Sequence, residues 1–250
     1  MKKKVLIIAA ALLLCAAVVA GYFLLTEPGS VKAPPAPEPA QTAQYTETEV
    51  QPTPEIPKEF DKTRYSLTDP TSLWVVVNKK RPLPADYVPS GLVSVGGGQM
   101  TKESADALSQ LLAAAKNQNL PMSVLSGYRS YATQQITYAG WVSRDGQAAA
   151  DTYSARAGYS EHQTGLAVDL GNGTCDLEIC FANTPAGGWL AANAHTFGFI
   201  IRYPNGKTAI TGYQYEPWHL RYVGLDLAKE LQAKNQTMEE FFELGPAPGY

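Results

Sequence analysis

The chain has 250 residues, a formal net charge of -3, and 45% hydrophobic residues. This slightly acidic balance gives no reason to expect a nucleic-acid partner, because nucleic-acid binding proteins usually present basic surfaces. Cysteine is sparse, with three residues in the whole chain.

The N-terminus carries the pattern of a membrane anchor. Lys2, Lys3 and Lys4 precede an uninterrupted apolar run from Val5 to Leu25, and a helix of about 20 apolar residues can cross a bilayer. The basic flank places the N-terminus in the cytoplasm and everything after the run outside. We therefore expect residues 1–25 to form a retained transmembrane helix. A cleavable signal peptide ending near Ala20 is the alternative.

Residues 26–59 differ sharply in composition from the apolar run. Proline recurs there among Thr, Glu, Gln and Ala. Such a segment cannot bury enough apolar surface to offset its chain entropy, so we expect a disordered linker. In polyproline geometry it could hold a domain up to roughly 100 Å from the membrane, although a generic spacer fits the composition equally well. The remaining residues, 60–250, suit one domain of ordinary size.

Four elements are predicted in the first part of this domain. Thr101 can cap a helix that runs through Ala115, because apolar residues recur there at helical spacing. Met122–Leu125 predicts a short strand, Tyr131–Ser143 a second helix, and Leu166–Leu170 another short apolar strand.

Four more elements follow along the chain. Pro185 begins a third helix, which Gly198 ends. Phe199–Tyr203 and Tyr213–Tyr222 are predicted strands, and Leu225–Phe242 is a closing helix. Because helices and strands do not alternate regularly, we expect an α+β fold with a small, mainly antiparallel sheet and flanking helices.

Two histidines and two carboxylates carry the candidate chemistry. His162, Asp169 and His219 can occupy three corners of a zinc tetrahedron, with Glu216 beside the fourth, where a water would bind. An open fourth position is typical of hydrolytic zinc sites. Zinc brings the pKa of such a water toward roughly 7, and a nearby carboxylate can pass its proton to a leaving amine. Pro217 favours extended geometry at Glu216, so this pair belongs to a turn or strand end.

Residue chemistry alone leaves a second interpretation open. A histidine on an apolar face is often a packed residue, and His162 and His219 could be no more than that. The third histidine, His195, lies in a predicted helix without neighbouring carboxylates. We interpret it as structural.

The motifs together resemble a known peptidase family. Ser160–Asp169 reads S-x-H-x-x-G-x-A-x-D, Glu216–His219 reads E-P-W-H, and Ser126–Ser130 contains G-Y-R-S. These segments are similar to the zinc D,D-peptidase family of VanY-type D-alanyl-D-alanine carboxypeptidases and L,D-carboxypeptidases. The resemblance runs from about Tyr65 to the C-terminus. It implies a Hedgehog/D,D-peptidase type of fold.

The resemblance also implies roles for particular residues. His162, Asp169 and His219 match the ligands of one Zn²⁺, and Glu216 matches the catalytic base. Arg129 matches the arginine that anchors substrate and steadies the oxyanion, as a planar guanidinium can. Further substrate contacts are implied at Gln134, Ser160 and Tyr203. Read without the resemblance, these three are equally an exposed helix glutamine, a capping serine and a core tyrosine.

Two local features affect loops near the candidate site. Ala157 stands before Gly158 where the family pattern has proline, which loosens the loop leading to His162 but removes no chemistry. Cys175 and Cys180 follow shortly after Asp169, and outside the cell they could form a disulfide that stiffens a loop near the site. Two free thiols are the alternative.

We therefore expect a membrane-anchored, monomeric zinc carboxypeptidase that acts on the outer side of a bacterial cell membrane. Its partners would be peptidoglycan stem peptides and the membrane itself. Removal of the C-terminal D-alanine from D-Ala-D-Ala ends is favoured over removal from L,D-tetrapeptides. A non-catalytic wall-binding module that uses the same cleft, or a peptidoglycan endopeptidase, are the alternatives.

Overall fold

The computed structural model of the protein describes residues 60–250. The expected membrane helix and proline-rich linker lie outside these residues. Within residues 60–250, no helix has both the length and the apolar character needed to cross a membrane.

The strands of residues 60–250 form two antiparallel sheets. Their bounds are β1 Leu92–Val95, β2 Gly98–Thr101, β3 Ser123–Ser126, β4 Ala167–Gly171, β5 Phe199–Ile201 and β6 His219–Tyr222. The first two strands make a hairpin, and the other four make a sheet of order β3-β4-β6-β5. All neighbouring strands are antiparallel.

Helices surround the four-stranded sheet. Their bounds are α1 Lys102–Asn117, α2 Tyr131–Asp145, α3 Gln147–Tyr153, α4 Pro185–Asn193, α5 Thr208–Thr211, α6 Leu225–Lys234 and α7 Met238–Phe241. Short 3-10 turns cover Glu161–Thr164, Ile179–Asn183 and Ala194–Phe197.

The two faces of the four-stranded sheet differ in character, because successive side chains of a strand point to opposite sides. One face is apolar and packs against α1 and α4 through a cluster that includes Leu108, Leu111, Val168, Leu170, Leu190 and Leu220. Asp169 and His219 alternate with the buried leucines and valine, so they emerge on the opposite face. The sheet is thus a floor with an apolar underside and a polar upper surface.

A second apolar cluster fixes the C-terminal helices. Trp74 packs with Leu227 and Leu231 of α6 and with Phe241 of α7. Its indole Nε1 donates a hydrogen bond of 2.9 Å to the carbonyl of Val223. This cluster joins the segment before the first hairpin to the end of the domain.

The expected small antiparallel sheet with flanking helices is confirmed. The single closing helix is wrong, because α6 ends at Lys234 and a separate α7 begins at Met238. Asn235 adopts a left-handed conformation with φ of 50°, which stops a helix. Thr237 then starts α7 with a capping box that includes Glu240.

The strand expected over Tyr213–Tyr222 is shorter in the structure and begins only at His219. Pro217 lacks a backbone donor and therefore cannot continue a sheet ladder. The strand expected to reach Tyr203 likewise ends at Ile201. Thr101 precedes α1 as expected, but its hydroxyl pairs with the hydroxyl of Ser104 instead of capping a backbone N–H.

Gly198 provides a test of the fold. Its φ of 83° is left-handed, and an added Cβ would lie 2.8 Å from the Tyr222 ring and 3.1 Å from backbone of Gly224. Gly198→Ala should therefore lower the free energy of unfolding by at least about 1–2 kcal/mol. Gly188→Ala is the matched control, because Gly188 lies in α4 with open space around it. It should raise that free energy by up to about 1 kcal/mol. Urea unfolding measures both, and equal effects would contradict the argument.

Candidate metal centre and active site

Strand register brings together the polar residues of the sheet floor. Asp169 on β4 lies directly opposite His219 on β6. On its other side it pairs with Ser126 of β3, next to a register shift in that strand. Opposite residues in antiparallel strands have Cβ atoms only about 5 Å apart. The three side chains therefore form a row across the sheet.

His162 completes a cluster with this row. It lies on the 3-10 turn that Gly165 ends in a left-handed conformation with φ of 68°. Its Nε2 is 3.1 Å from Oδ2 of Asp169, and Nδ1 of His219 is 3.0 Å from Oδ1 of the same carboxylate. One nitrogen or oxygen atom from each of the three residues lies within 4.8 Å of the others.

The donor set of these three residues fits a zinc ion. Imidazole nitrogen and carboxylate oxygen are both common zinc ligands. Nδ1 of His162 is 2.7 Å from the carbonyl of Gly127, so that nitrogen donates and Nε2 carries the lone pair that faces Asp169. Burial lowers the pKa of His162, which favours the neutral imidazole that a metal requires. Three protein ligands leave the fourth position of a tetrahedron open.

Glu216 lies beside this cluster in a turn that Pro217 shapes. The backbone N–H of His219 bonds to the carbonyl of Glu216 at 3.2 Å. The Glu216 carboxylate is 3.9 Å from Nδ1 of His219, and it accepts no hydrogen bond from residues 60–250. Burial raises the pKa of Glu216 to about 8. A carboxyl group with such a pKa can both take up and release a proton near neutral pH.

Arg129 is held at the edge of the cluster by neutral partners. It donates to Oε1 of Gln134 at 2.8 Å and to Oγ of Ser126 at 2.6 Å, and it lies 4.0 Å from Asp169. Burial lowers the pKa of its guanidinium. A guanidinium has five N–H donors, so two hydrogen bonds leave others for an anion in the cleft.

Gln134 is not the exposed helix residue that its position in α2 also allowed. It is 1% exposed, and its Nε2 donates to the carbonyl of Ala155 at 2.7 Å. Both ends of its amide are therefore engaged within the protein. In this structure Gln134 orients Arg129.

Ser160 and Tyr203 also face the cleft. Ser160 stands at the start of the 3-10 turn, but its side chain caps no backbone N–H. The Tyr203 ring packs at a tilt against the His219 imidazole, with 4.9 Å between centroids. Ser160 thus keeps its hydroxyl for another partner, and Tyr203 supports a candidate ligand.

The cleft above the cluster has a volume of about 550 Å³. One wall is formed by Trp141 and Arg144 of α2 with Tyr153 of α3. The facing rim comes from the loop around Leu177, where Cys175 and Cys180 form a disulfide. These wall residues were absent from the sequence-based site. Trp141 and Arg144 lie at the end of the second helix, outside any motif, and α3, which carries Tyr153, was not predicted.

Four buried charged groups lie beside the cluster, and Arg221 shares the polar face of β6 with His219. Arg202 and Arg221 both donate to Oε1 of Glu161 at 2.7 Å. Arg202 also makes two hydrogen bonds to Glu239 at 2.9 and 2.6 Å. We call Glu161, Arg202, Arg221 and Glu239 the buried quartet. Burial alone would raise the pKa of Glu161, but the two arginines hold it well below its ordinary value.

Sequence reasoning assigned no role to Glu161, Ser126 or Arg202. The first two lie within quoted motifs, and Arg202 lies within the predicted strand Phe199–Tyr203. A charged residue inside an otherwise apolar segment is a signal for a buried ion pair, but its partner is visible only in the fold. His195 belongs to a different cavity, formed between α4 and α6. This placement supports the structural interpretation of His195.

Comparison with known proteins finds relatives that are named as carboxypeptidases. The putative carboxypeptidase YodJ of Bacillus subtilis (strain 168) is 41% identical over 190 residues, which cover 71% of this chain and 70% of YodJ. The solved LdcB LD-carboxypeptidase is 42% identical, with a TM-score of 0.65 and coverage of 70% and 87% of the two chains.

A vancomycin-resistance D,D-pentapeptidase VanY, solved in complex with Zn(II), is 35% identical to this chain. Its TM-score is 0.60, and the match covers 67% of this chain and 97% of VanY. The family model for VanY, D-alanyl-D-alanine carboxypeptidase, matches residues 97–225. That range contains every element that carries the cluster and the cleft walls. The chain therefore belongs to the VanY family of D-alanyl-D-alanine carboxypeptidases, which are zinc-dependent hydrolases.

Proposed function

We propose that this enzyme removes the C-terminal D-alanine from peptidoglycan stem peptides, working as a monomer with one zinc ion. The observation that carries the proposal is the grouping of Glu216 and Arg129 around the cluster of His162, Asp169 and His219. An acid–base group and an anion-binding group face the same open metal position. A carboxypeptidase needs this combination, because its substrate ends in a free carboxylate.

The positions of the residues support a separate role for each of them. His162, Asp169 and His219 would hold the zinc ion, which supplies Lewis acidity to a water and to the scissile carbonyl when bound. Glu216 takes a proton from the attacking water while the oxygen of that water bonds to the carbonyl carbon. Glu216 then gives the proton to the amine of D-alanine as the C–N bond breaks. Arg129, oriented by Gln134 and Ser126, binds the terminal carboxylate or faces the developing oxyanion.

Two substrates remain candidates, and each has its own support. Similarity to LdcB, an LD-carboxypeptidase, supports a tetrapeptide in which an L-centre precedes the terminal D-alanine. Similarity to VanY, a D,D-pentapeptidase, supports a pentapeptide that ends in D-Ala-D-Ala. The identity of 42% to LdcB exceeds the 35% to VanY. We therefore place the tetrapeptide first and the pentapeptide second.

Glu216→Gln should separate metal binding from turnover. The amide keeps the size of the side chain but cannot accept the water's proton, so we expect turnover to fall about 10²–10⁴-fold. The variant should still bind one zinc ion per chain, measured by metal analysis. Glu243→Gln is the matched control, because that side chain is 84% exposed. Near-normal turnover of Glu216→Gln would show that another group is the base.

A comparison of peptides tests the substrate. The full chain in detergent is loaded with zinc and incubated with a stem tetrapeptide or with a pentapeptide that ends in D-Ala-D-Ala, and released D-alanine is measured. We expect faster release from the tetrapeptide and loss of release after chelation. Faster release from the pentapeptide would reverse our order of substrates. No release from either peptide with zinc bound would favour a binding module, and cleavage inside the stem would favour an endopeptidase.

We further propose that the enzyme is anchored in the cell membrane by residues 1–25, with residues 60–250 outside the cytoplasm. The support is the basic tip before an apolar run of bilayer length. Fractionation of expressing cells should recover the full chain with membranes. A chain that begins at residue 26 should not be recovered there. Protease added to intact spheroplasts should digest the domain, and its protection would contradict this orientation.

A further inference from the structure

The imidazole of the candidate metal ligand His219 points its two nitrogens in different directions. Nδ1 faces the cluster, 3.0 Å from Asp169 and 3.9 Å from Glu216. Nε2 faces the interior, where it lies 3.5 Å from Oε2 of Glu161. The two nitrogens therefore have different neighbours, and only Nδ1 is directed toward the other candidate ligands.

Nε2 of His219 and Oε2 of Glu161 are both buried and have no hydrogen-bond partner among residues 60–250. Leaving a buried polar atom without a partner is costly. The two atoms are complementary, because an imidazole N–H donates and a carboxylate oxygen accepts. Their separation is at the outer limit of a hydrogen bond.

The buried quartet fixes the Glu161 carboxylate in this orientation. Arg202 and Arg221 both bond to Oε1, so Oε2 is the atom left for His219. Arg221 is in turn held by the carbonyls of Leu73 and Val75. The two carboxylates and two guanidiniums balance in charge. Glu161 is thus a rigid acceptor whose position does not depend on the histidine.

We propose that Glu161 is a positioning residue for the metal centre: it accepts Nε2–H of His219 and so directs the Nδ1 lone pair toward zinc. This inference rests on the proposed zinc site but not on the proposed substrate. Carboxylates that accept from a ligand imidazole fix its tautomer and its orientation. His162 receives the same support from the carbonyl of Gly127. In both histidine ligands, the nitrogen that does not bind zinc would then donate a hydrogen bond to a fixed acceptor.

Glu161→Gln tests the proposal by zinc affinity. A carboxamide has one oxygen and one NH₂ group, so it cannot accept from both arginines and from Nε2–H of His219 at once. The amide would favour the other tautomer of His219, with a proton on Nδ1. We expect zinc affinity of the full chain in detergent to fall about 10- to 100-fold, measured by competition with a chromophoric chelator in the absence of peptide.

Glu239→Gln is the matched control. Glu239 is also buried and also pairs with Arg202, but none of its contacts reaches His219. It should lower the melting temperature as Glu161→Gln does, while zinc affinity stays within about twofold of wild type. Equal losses of zinc affinity in both variants, or none in Glu161→Gln, would show that the quartet acts only on stability and would overturn the proposal.

A measurement on the unaltered protein keeps the proposal testable if Glu161→Gln does not fold. In the zinc-loaded wild type with ¹⁵N-labelled histidine, NMR should show a protonated Nε2 and a zinc-bound Nδ1 for His219. A protonated Nδ1 with zinc on Nε2 would overturn the proposal. If only the proposed function is wrong, the protein should still bind zinc and show the expected tautomer of His219, but it should release no D-alanine.

Discussion

The register between β4 and β6 is the constraint on which the site depends. Pairing Asp169 with His219 places two candidate ligands side by side on one face of the sheet. A slip of either strand by one residue would send its candidate ligand to the apolar face and bring its buried apolar side chains out. The core and the candidate metal centre are therefore specified by the same alternation. The cluster of Leu108, Leu170 and Leu220 stabilises the register that the chemistry needs.

Much of the site could be predicted from the sequence because its residues lie in short, rigid segments. Ser160–Asp169 contains a turn and a strand, and Glu216–His219 contains a proline turn, so spacing along the chain nearly determines geometry. The small antiparallel sheet was predicted for a different reason, the irregular order of helices and strands along the chain. The membrane anchor, the linker and the roles of individual side chains stay predictions.

What the sequence did not reveal depends on contacts between distant segments. The single closing helix was wrong because the prediction followed the apolar spacing past Asn235 and did not use the capping-box pattern of Thr237 and Glu240, which marks a new helix start. Gln134 was ambiguous because its partners, Arg129 and Ala155, come from a turn and a later loop. Glu161 carried no visible role because its two hydrogen-bonding partners, Arg202 and Arg221, lie 41 and 60 positions away along the chain.

The buried quartet also ties the end of the domain to the surroundings of the candidate site. Glu239 lies 23 positions after Glu216 and neutralises Arg202 from helix α7. Without Glu239, Arg202 and Arg221 would share the single carboxylate of Glu161, and one buried positive charge would have no counterpart. The last helix of the domain therefore balances the charge next to a site to which it contributes no residue.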